Sequence, residues 1–276
     1  MPVAARRTFL VATPALVLVV LLVLLVLSAL LAQTAKADLV SVIAAAKPSV
    51  LPVGTFNATD SPRFGFRGTG FVVGDGSFVV TNFHVLPPAG ATEGGPVMVV
   101  LVVPVGKPGE ATGQTGQLRR ARVVSSDRSH DLALLKIEGT PLTPLVLDEP
   151  GAAREGQSIT LMGFPIGGAL GFAAVSHRGI IASITAAALP AATAQQLDPR
   201  ALVRLREGNY EVLQLDATAY PGNSGGPVLD ADSGRVVGIV NMVLVKAGRE
   251  SALSNPTGIS YAIPVRHLHD LLKAPR

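Results

Sequence analysis

The chain has 276 residues, 48% of them hydrophobic and 15% charged, with 29 glycines, 21 prolines, no cysteine and a formal net charge of +4. These values exclude a disordered or collagen-like chain, a disulfide framework, thiolate metal ligation and a cysteine nucleophile, and so weak a positive charge makes no case for a nucleic-acid partner. The mean hydropathy of +0.44 is high for a soluble domain, which raises the question of where the apolar residues lie.

They concentrate at the start. From Thr8 to Ala35 no residue is charged, and Ala15–Ala32 reads ALVLVVLLVLLVLSALLA. About 20 apolar residues are enough to cross roughly 30 Å of hydrocarbon as a helix. Residues 1–37 therefore read as a cytoplasmic tip and a transmembrane signal-anchor. The rival reading is a signal peptide cleaved after Ala37, since Ala35-Lys36-Ala37 fits a small-x-small site. In both readings Arg6 and Arg7 keep the N-terminus in the cytoplasm and the remainder lies outside it, periplasmic or at the cell surface.

Beyond Asp38 the pattern is mostly β. A short helix is expected over 38–46. Apolar runs rich in Val, Ile, Leu and Phe, bounded by Gly, Pro and Asp, predict strands over 70–73, 78–81, 97–103, 121–125, 133–137, 158–163, 212–215, 228–229, 236–240 and 259–263, and an amphipathic helix closes the chain over 265–272. Parallel βαβ units would need helices between these strands, and none is legible, so the sheets are expected to form a sandwich or barrels. Residues 87–95 and 106–117 read as exposed loops, with Arg119, Arg120 and Arg122 as a solvated strand edge. Residues 139–156 read as the connection between two lobes, and the Ala-rich insertion 186–205 has no evident role.

Gly222-Asn223-Ser224-Gly225-Gly226-Pro227 lies between two apolar runs. A serine nucleophile must stand on a tight turn with backbone N–H groups free to face a developing oxyanion, and glycines permit that geometry. A structural turn would read the same way. Of the five histidines, His84 in Thr81-Asn82-Phe83-His84-Val85 is the one set at a strand end. His267 and His269 read as exposed helix residues. Asp131, just before the apolar run 132–137, is the natural acid to orient a histidine, although a strand-end cap or a local pair with Arg128 or His130 would also explain it. Asp216 is the competing acid.

Taken together, Thr81–Val85, His130–Ile137 and Gly222–Pro227 resemble the trypsin-like serine proteases, most closely the HtrA/Deg branch. Gly68-Thr69-Gly70-Phe71, Asp216-Ala217, 238–244 and 258–264 extend the likeness over about 42–264. The resemblance implies an all-β fold of two antiparallel six-stranded, chymotrypsin-like barrels, over 38–148 and 149–276, with the site in the cleft between them. It implies that Ser224 attacks a scissile carbonyl, that His84 takes and returns the proton, that Asp131 orients His84, and that the N–H groups of Gly222 and Ser224, with Asn223, form the oxyanion hole. Such chemistry requires no metal or cofactor.

The same resemblance implies that Thr218 falls at the pocket floor with Ala219 beside it, and that Asn241, Met242 and Val243 form the edge for substrate backbone. None is charged, so a small or medium apolar residue is expected before the scissile bond. After Ser224 no PDZ domain is expected within the 276 residues, and 164–183 fits the branch poorly. The expected function is a membrane-tethered serine endopeptidase that cleaves proteins in envelope quality control or regulated proteolysis, with protein or peptide substrates and a homo-trimer as a compatible assembly. The rival is a catalytically silent or partner-activated binding module on the same fold.

Overall fold

The computed structural model describes residues 18, 22, 38–87, 97–102, 116–168, 172–187, 210–241 and 258–274. Residues 1–36 form a unit separate from 37–276. The apolar segment lies outside the described residues except for Leu18 and Leu22, which are helical and exposed. Among the described residues, no helix is long and apolar enough to cross a membrane.

Twelve strands close into two antiparallel barrels. The first contains β1 (Val50–Phe56), β2 (Phe64–Val73), β3 (Phe78–Asn82), β4 (Val97–Val102), β5 (Gln117–Asp127) and β6 (Leu132–Ile137), in the spatial order β1-β2-β3-β6-β5-β4. The second contains β7 (Ser158–Gly163), β8 (Val175–Ala186), β9 (Glu211–Asp216), β10 (Pro227–Asp230), β11 (Val236–Val240) and β12 (Ile259–Pro264), in the order β7-β8-β9-β12-β11-β10. The same strand order is used twice, although the sequence contains no visible repeat. The sheets change between β6 and β7, within the Gly/Pro-rich stretch expected to connect the lobes.

Two strands depart from the expectation. β1 contains Pro52 and Gly54, which argue against a strand in sequence. Pairing with β4 begins only at Val53, and a register shift at Val53/Gly54 absorbs the irregularity, so Pro52 has a single sheet neighbour, Thr69. β8 reads VSHRGIIASITA and only Ile181 in it is buried, so a solvated face hides its period. Arg119, Arg120 and Arg122 sit within β5, longer than expected, and Arg119 Nη1 donates to the Thr140 carbonyl at 2.6 Å.

Three apolar clusters explain why so many strands read as unbroken hydrophobic runs. One fills the first barrel with Leu51, Val53, Val79, Val100, Leu135 and Ile137. A second fills the other barrel with Ile159, Leu161, Ile181, Leu213, Leu215 and Val237. The third is the seam between them, where Phe71, Leu132 and Leu134 meet Met162, Phe164 and Ile239. β6 therefore sends Leu135 and Ile137 inward and Leu132 and Leu134 to the seam, so both of its faces are buried except at Lys136.

Helix α1 (Leu39–Ala46) starts after Asp38, whose carbonyl accepts the Ser41 hydroxyl at 2.6 Å, and it gives way to a 3-10 turn at Pro48. Helix α2 (Val265–Lys273) buries Val265, Leu268 and Leu271 in the seam. Leu134→Ala is expected to cost about 2–5 kcal/mol, since it leaves a cavity between the barrels, and urea unfolding followed by intrinsic fluorescence of the tyrosines measures it.

Candidate active site

β3 ends at Asn82, and the chain then makes a 3-10 turn over Phe83–Val85, closed by the Leu86 N–H on the Phe83 carbonyl at 3.0 Å. His84 stands on this turn, half-buried. Arg67 of β2 holds the turn from behind: its Nε donates to the Val85 carbonyl and its Nη2 to the Leu86 carbonyl at 2.8 Å. Asp131 ends the tight β5–β6 turn in the left-handed region, with φ 54, a conformation that aspartate tolerates better than most residues.

The Asp131 carboxylate grips His84 at two points. Oδ1 accepts the His84 backbone N–H at 2.8 Å and Oδ2 lies 2.6 Å from His84 Nδ1. The Asp131 carbonyl accepts the N–H of Phe83 at 3.0 Å and Nδ2 of Asn82 at 3.1 Å. A carboxylate held this way fixes both the position of the imidazole and the tautomer that carries its proton on Nδ1, leaving Nε2 as the basic nitrogen.

Ser224 belongs to the second barrel. Its loop is a pair of consecutive turns: the Asn223 N–H donates to the Tyr220 carbonyl at 3.0 Å and the Gly226 N–H to the Asn223 carbonyl at 2.9 Å. Gly222 has φ 106, and a Cβ there would collide with the Phe164 carbonyl; Gly225 has φ 85, and its Cβ would collide with the Thr69 carbonyl. Both positions admit only glycine. The first barrel reaches across to the loop through β2, where the Thr69 N–H donates to the Ser224 carbonyl at 2.9 Å and the Thr69 hydroxyl to the Gly222 carbonyl at 2.6 Å. The Pro221 carbonyl accepts the Ile166 N–H at 2.9 Å, with Ile166 itself at φ 60, so the peptide that carries the Gly222 N–H is locked in orientation. Among the described residues, no acceptor meets the N–H of Gly222 or Ser224.

One expected role changes and another residue gains a contact. The Asn223 N–H is spent on Tyr220, so it is not a third oxyanion donor. Asn241, expected at the substrate edge, also reaches the acid: it is 1% exposed, its N–H donates to the Tyr261 carbonyl, and its Nδ2 donates to Asp131 Oδ2 at 2.9 Å. It thus joins the second barrel to the acid of the first. The signal for it was the lone polar residue closing the apolar run 236–240. Met242 and Val243 lie outside the described residues. Thr218 is half-buried, and Ala219 packs into the second barrel's core.

The competing residues are not assembled. Asp216 is exposed at the end of β9, and His177 on β8, where burial lowers its pKa, faces the Tyr220 ring instead of an acid. Asn241→Ala is expected to lower kcat about tenfold or more with KM little changed, because a hydrogen bond to a charged group is worth roughly 1.5–3 kcal/mol, and steady-state kinetics on a peptide substrate would show it.

A His–Asp pair on one barrel and a glycine-bounded serine turn on the other are the parts that a double-barrel serine hydrolase type of site requires. The trypsin-like peptidase domain family matches residues 68–239, and the chain belongs to that family. A probable periplasmic serine endoprotease DegP-like of Halomonas elongata is 29% identical over 72% of this chain and 32% of its own length. The serine protease Do-like HtrB of Bacillus subtilis is 26% identical over 84% and 45%, and the chloroplastic protease Do-like 5 of Arabidopsis thaliana is 30% identical over 72% and 53%. The chain thus spans between about a third and about half the length of these curated relatives. Among solved structures, an HtrA-type protease with a tripeptide superposes with a TM-score of 0.58 at 23% identity, covering 86% of this chain and 63% of that one. The fold is the chymotrypsin-like double barrel.

Proposed function

We propose that the chain is a serine endopeptidase that works through an acyl-enzyme. Ser224 Oγ attacks the scissile carbonyl while His84 Nε2 takes its proton. Asp131 holds the imidazole and stabilises the imidazolium that forms. The N–H groups of Gly222 and Ser224 receive the developing oxyanion, a term that typically contributes several kcal/mol of barrier lowering when donors are fixed in advance. His84 then gives its proton to the leaving amine, and water repeats the cycle to release the acid. The observation that carries this reading is the two-point grip of Asp131 on His84 beside a turn with two unspent N–H groups. A fluorophosphonate probe tests it: covalent labelling that disappears in Ser224→Ala is expected, and an unlabelled chain between pH 6 and 9 would favour a silent binding module.

We further infer that the segment 8–35 anchors the enzyme and that the barrels work outside the cytoplasm, on envelope proteins. The Arg6-Arg7 pair before an uncharged run supports this orientation, and so does the word periplasmic in the names of relatives. Protease protection of sealed vesicles, with the mass of the N-terminus in membrane and soluble fractions, tests both the anchor and cleavage after Ala37. The uncharged Thr218 favours a small or medium apolar residue before the scissile bond, and cleavage of a peptide library is expected to show it.

A further inference from the structure

Close to Asp131 lies a second His–Asp pair with nearly the same geometry as the first. Asp127 Oδ1 accepts the His130 backbone N–H at 3.1 Å, and Oδ2 lies 2.6 Å from His130 Nδ1. Among the described residues, no serine hydrogen-bonds the His130 ring. It is stacked on the ring of His267, the third residue of α2, with centroids 3.8 Å apart and planes inclined by 20°. Tyr210, immediately before β9, stands edge-on to both rings, at 4.7 Å from His130 and 5.7 Å from His267. Arg266 Nη1 ties α2 to Glu211 Oε2 at 2.7 Å. One turn of the first barrel is therefore gripped, at the residue adjoining Asp131, by the helix that follows β12 and by the residue that precedes β9.

We propose that the His130–His267 stack, seated on Asp127 and edged by Tyr210, is a positioning latch that holds the left-handed turn carrying Asp131 and so sets the aim of His84. The proposal rests on Asp131 being the acid that orients His84. Asp131 holds its φ of 54 with a weak turn hydrogen bond to the Arg128 carbonyl at 3.3 Å, and a strained turn stays in place only where its surroundings over-determine it. His130 is the neighbouring residue, and its ring is a second point, besides the Asp131 carboxylate that Asn241 reaches, at which the turn is held from outside the first barrel.

The stack works while at least one ring is neutral, because two imidazolium cations at this separation repel. His267 is the neutral partner. Burial pushes its pKa down first, then the charges of His130 and Arg266, with Asp127 and Asp270 opposing, and it is lowered to about 4. Hydrogen bonds from His130 hold the Asp127 carboxyl below its usual value although burial opposes them. Since the folded value of His267 lies below the ordinary histidine value of 6.5, the unfolded chain takes up a proton between those limits that the folded chain refuses. The latch therefore stabilises fully above about 6.5 and is progressively lost as pH falls toward 4.

The test compares His267→Ala with His267→Phe in the full chain. In the alanine variant the peptide kcat and the rate of fluorophosphonate labelling are expected to fall on the order of tenfold with KM unchanged, because displacement of a catalytic group by about 1 Å costs up to roughly a hundredfold. The phenylalanine variant restores a flat ring over His130 and is expected to recover the unaltered rate. The His84 ring resonance, read by NMR without any substrate, is expected to move in the alanine variant and return in the phenylalanine one. On acidification from pH 6.5 to 4.5 the thermal midpoint of the unaltered chain is expected to fall further than that of His267→Phe. Unchanged labelling together with an unmoved His84 resonance in His267→Ala overturns the latch. A moved resonance in a chain that the probe never labels keeps the latch and overturns the hydrolase reading instead. Should His267→Ala fail to fold, Asp127→Asn, which removes one grip on His130 at constant size, is read by the same measurements.

Discussion

Ser224→Ala is expected to lower peptide hydrolysis by on the order of 10⁶ in kcat, the loss seen when a nucleophile that acts as one unit with its base is removed. Nothing else in the site should move. Ser224 is 6% exposed, and its backbone carbonyl, not its side chain, is bonded to Thr69, so alanine fits the same turn and the thermal midpoint is expected to stay within a degree or two. The N–H groups of Gly222 and Ser224 remain in place, which predicts a residual rate roughly 10³–10⁴ above uncatalysed hydrolysis. Single-turnover assays with a chromogenic ester and labelling with the probe read the two sides of this claim. Persistent labelling in the alanine variant would place the nucleophile elsewhere.

Asp131→Asn is expected to lower kcat by on the order of 10⁴ while leaving the fold intact. Asparagine accepts a positive φ as readily as aspartate, so the turn survives. The electrostatics do not. Oδ2 of Asp131 takes two contacts, His84 Nδ1 at 2.6 Å and Asn241 Nδ2 at 2.9 Å, while Oδ1 takes the His84 N–H at 2.8 Å. An amide has one oxygen to offer these three groups. Whichever way it turns, its own NH₂ faces a donor or forces His84 to carry its proton on Nε2, where it cannot act as a base. The drop is expected in kcat with KM nearly unchanged, and circular dichroism should overlay that of the unaltered chain. A loss below tenfold would mean that Asp131 is a strand-end cap.

The parts of this molecule that could be read in advance are those where one residue type has one physical use. The strands over 158–163 and 236–240 were legible to the residue because apolar runs bounded by Gly and Pro leave few alternatives. The pairing of His84 with Asp131 was legible from two strand ends, and the tight turn at Ser224 from the glycines that bound it. β1 was hidden by Pro52, tolerable there because that stretch has only one sheet neighbour. β8 was hidden by a solvated face.

The role of Asn241 could not be read because it depends on a contact with a residue 110 positions away, and local pattern carries no such distance. The same holds for His267. An amphipathic period places a histidine on a helix face, but only the docking of α2 against the β5–β6 turn decides whether it meets solvent or another imidazole. Asn223 was misread because which of three consecutive N–H groups stays free is set by the turn type, and glycine content alone does not specify that.

Thr69 shows what it means to divide a site between two barrels. Its hydroxyl accepts the Phe164 N–H at 3.1 Å while donating to Gly222, and the Thr81 hydroxyl in turn donates to the Thr69 carbonyl at 2.7 Å. The nucleophile's loop is thus shaped by a strand laid down some 150 residues earlier in the chain, and the acid is completed by Asn241, near the end. The first barrel by itself carries neither Ser224 nor the N–H groups of Gly222 and Ser224, and its acid lacks the Asn241 contact. Under the proposed mechanism, the site is therefore complete only once β11 and the residue that follows it have joined the second barrel.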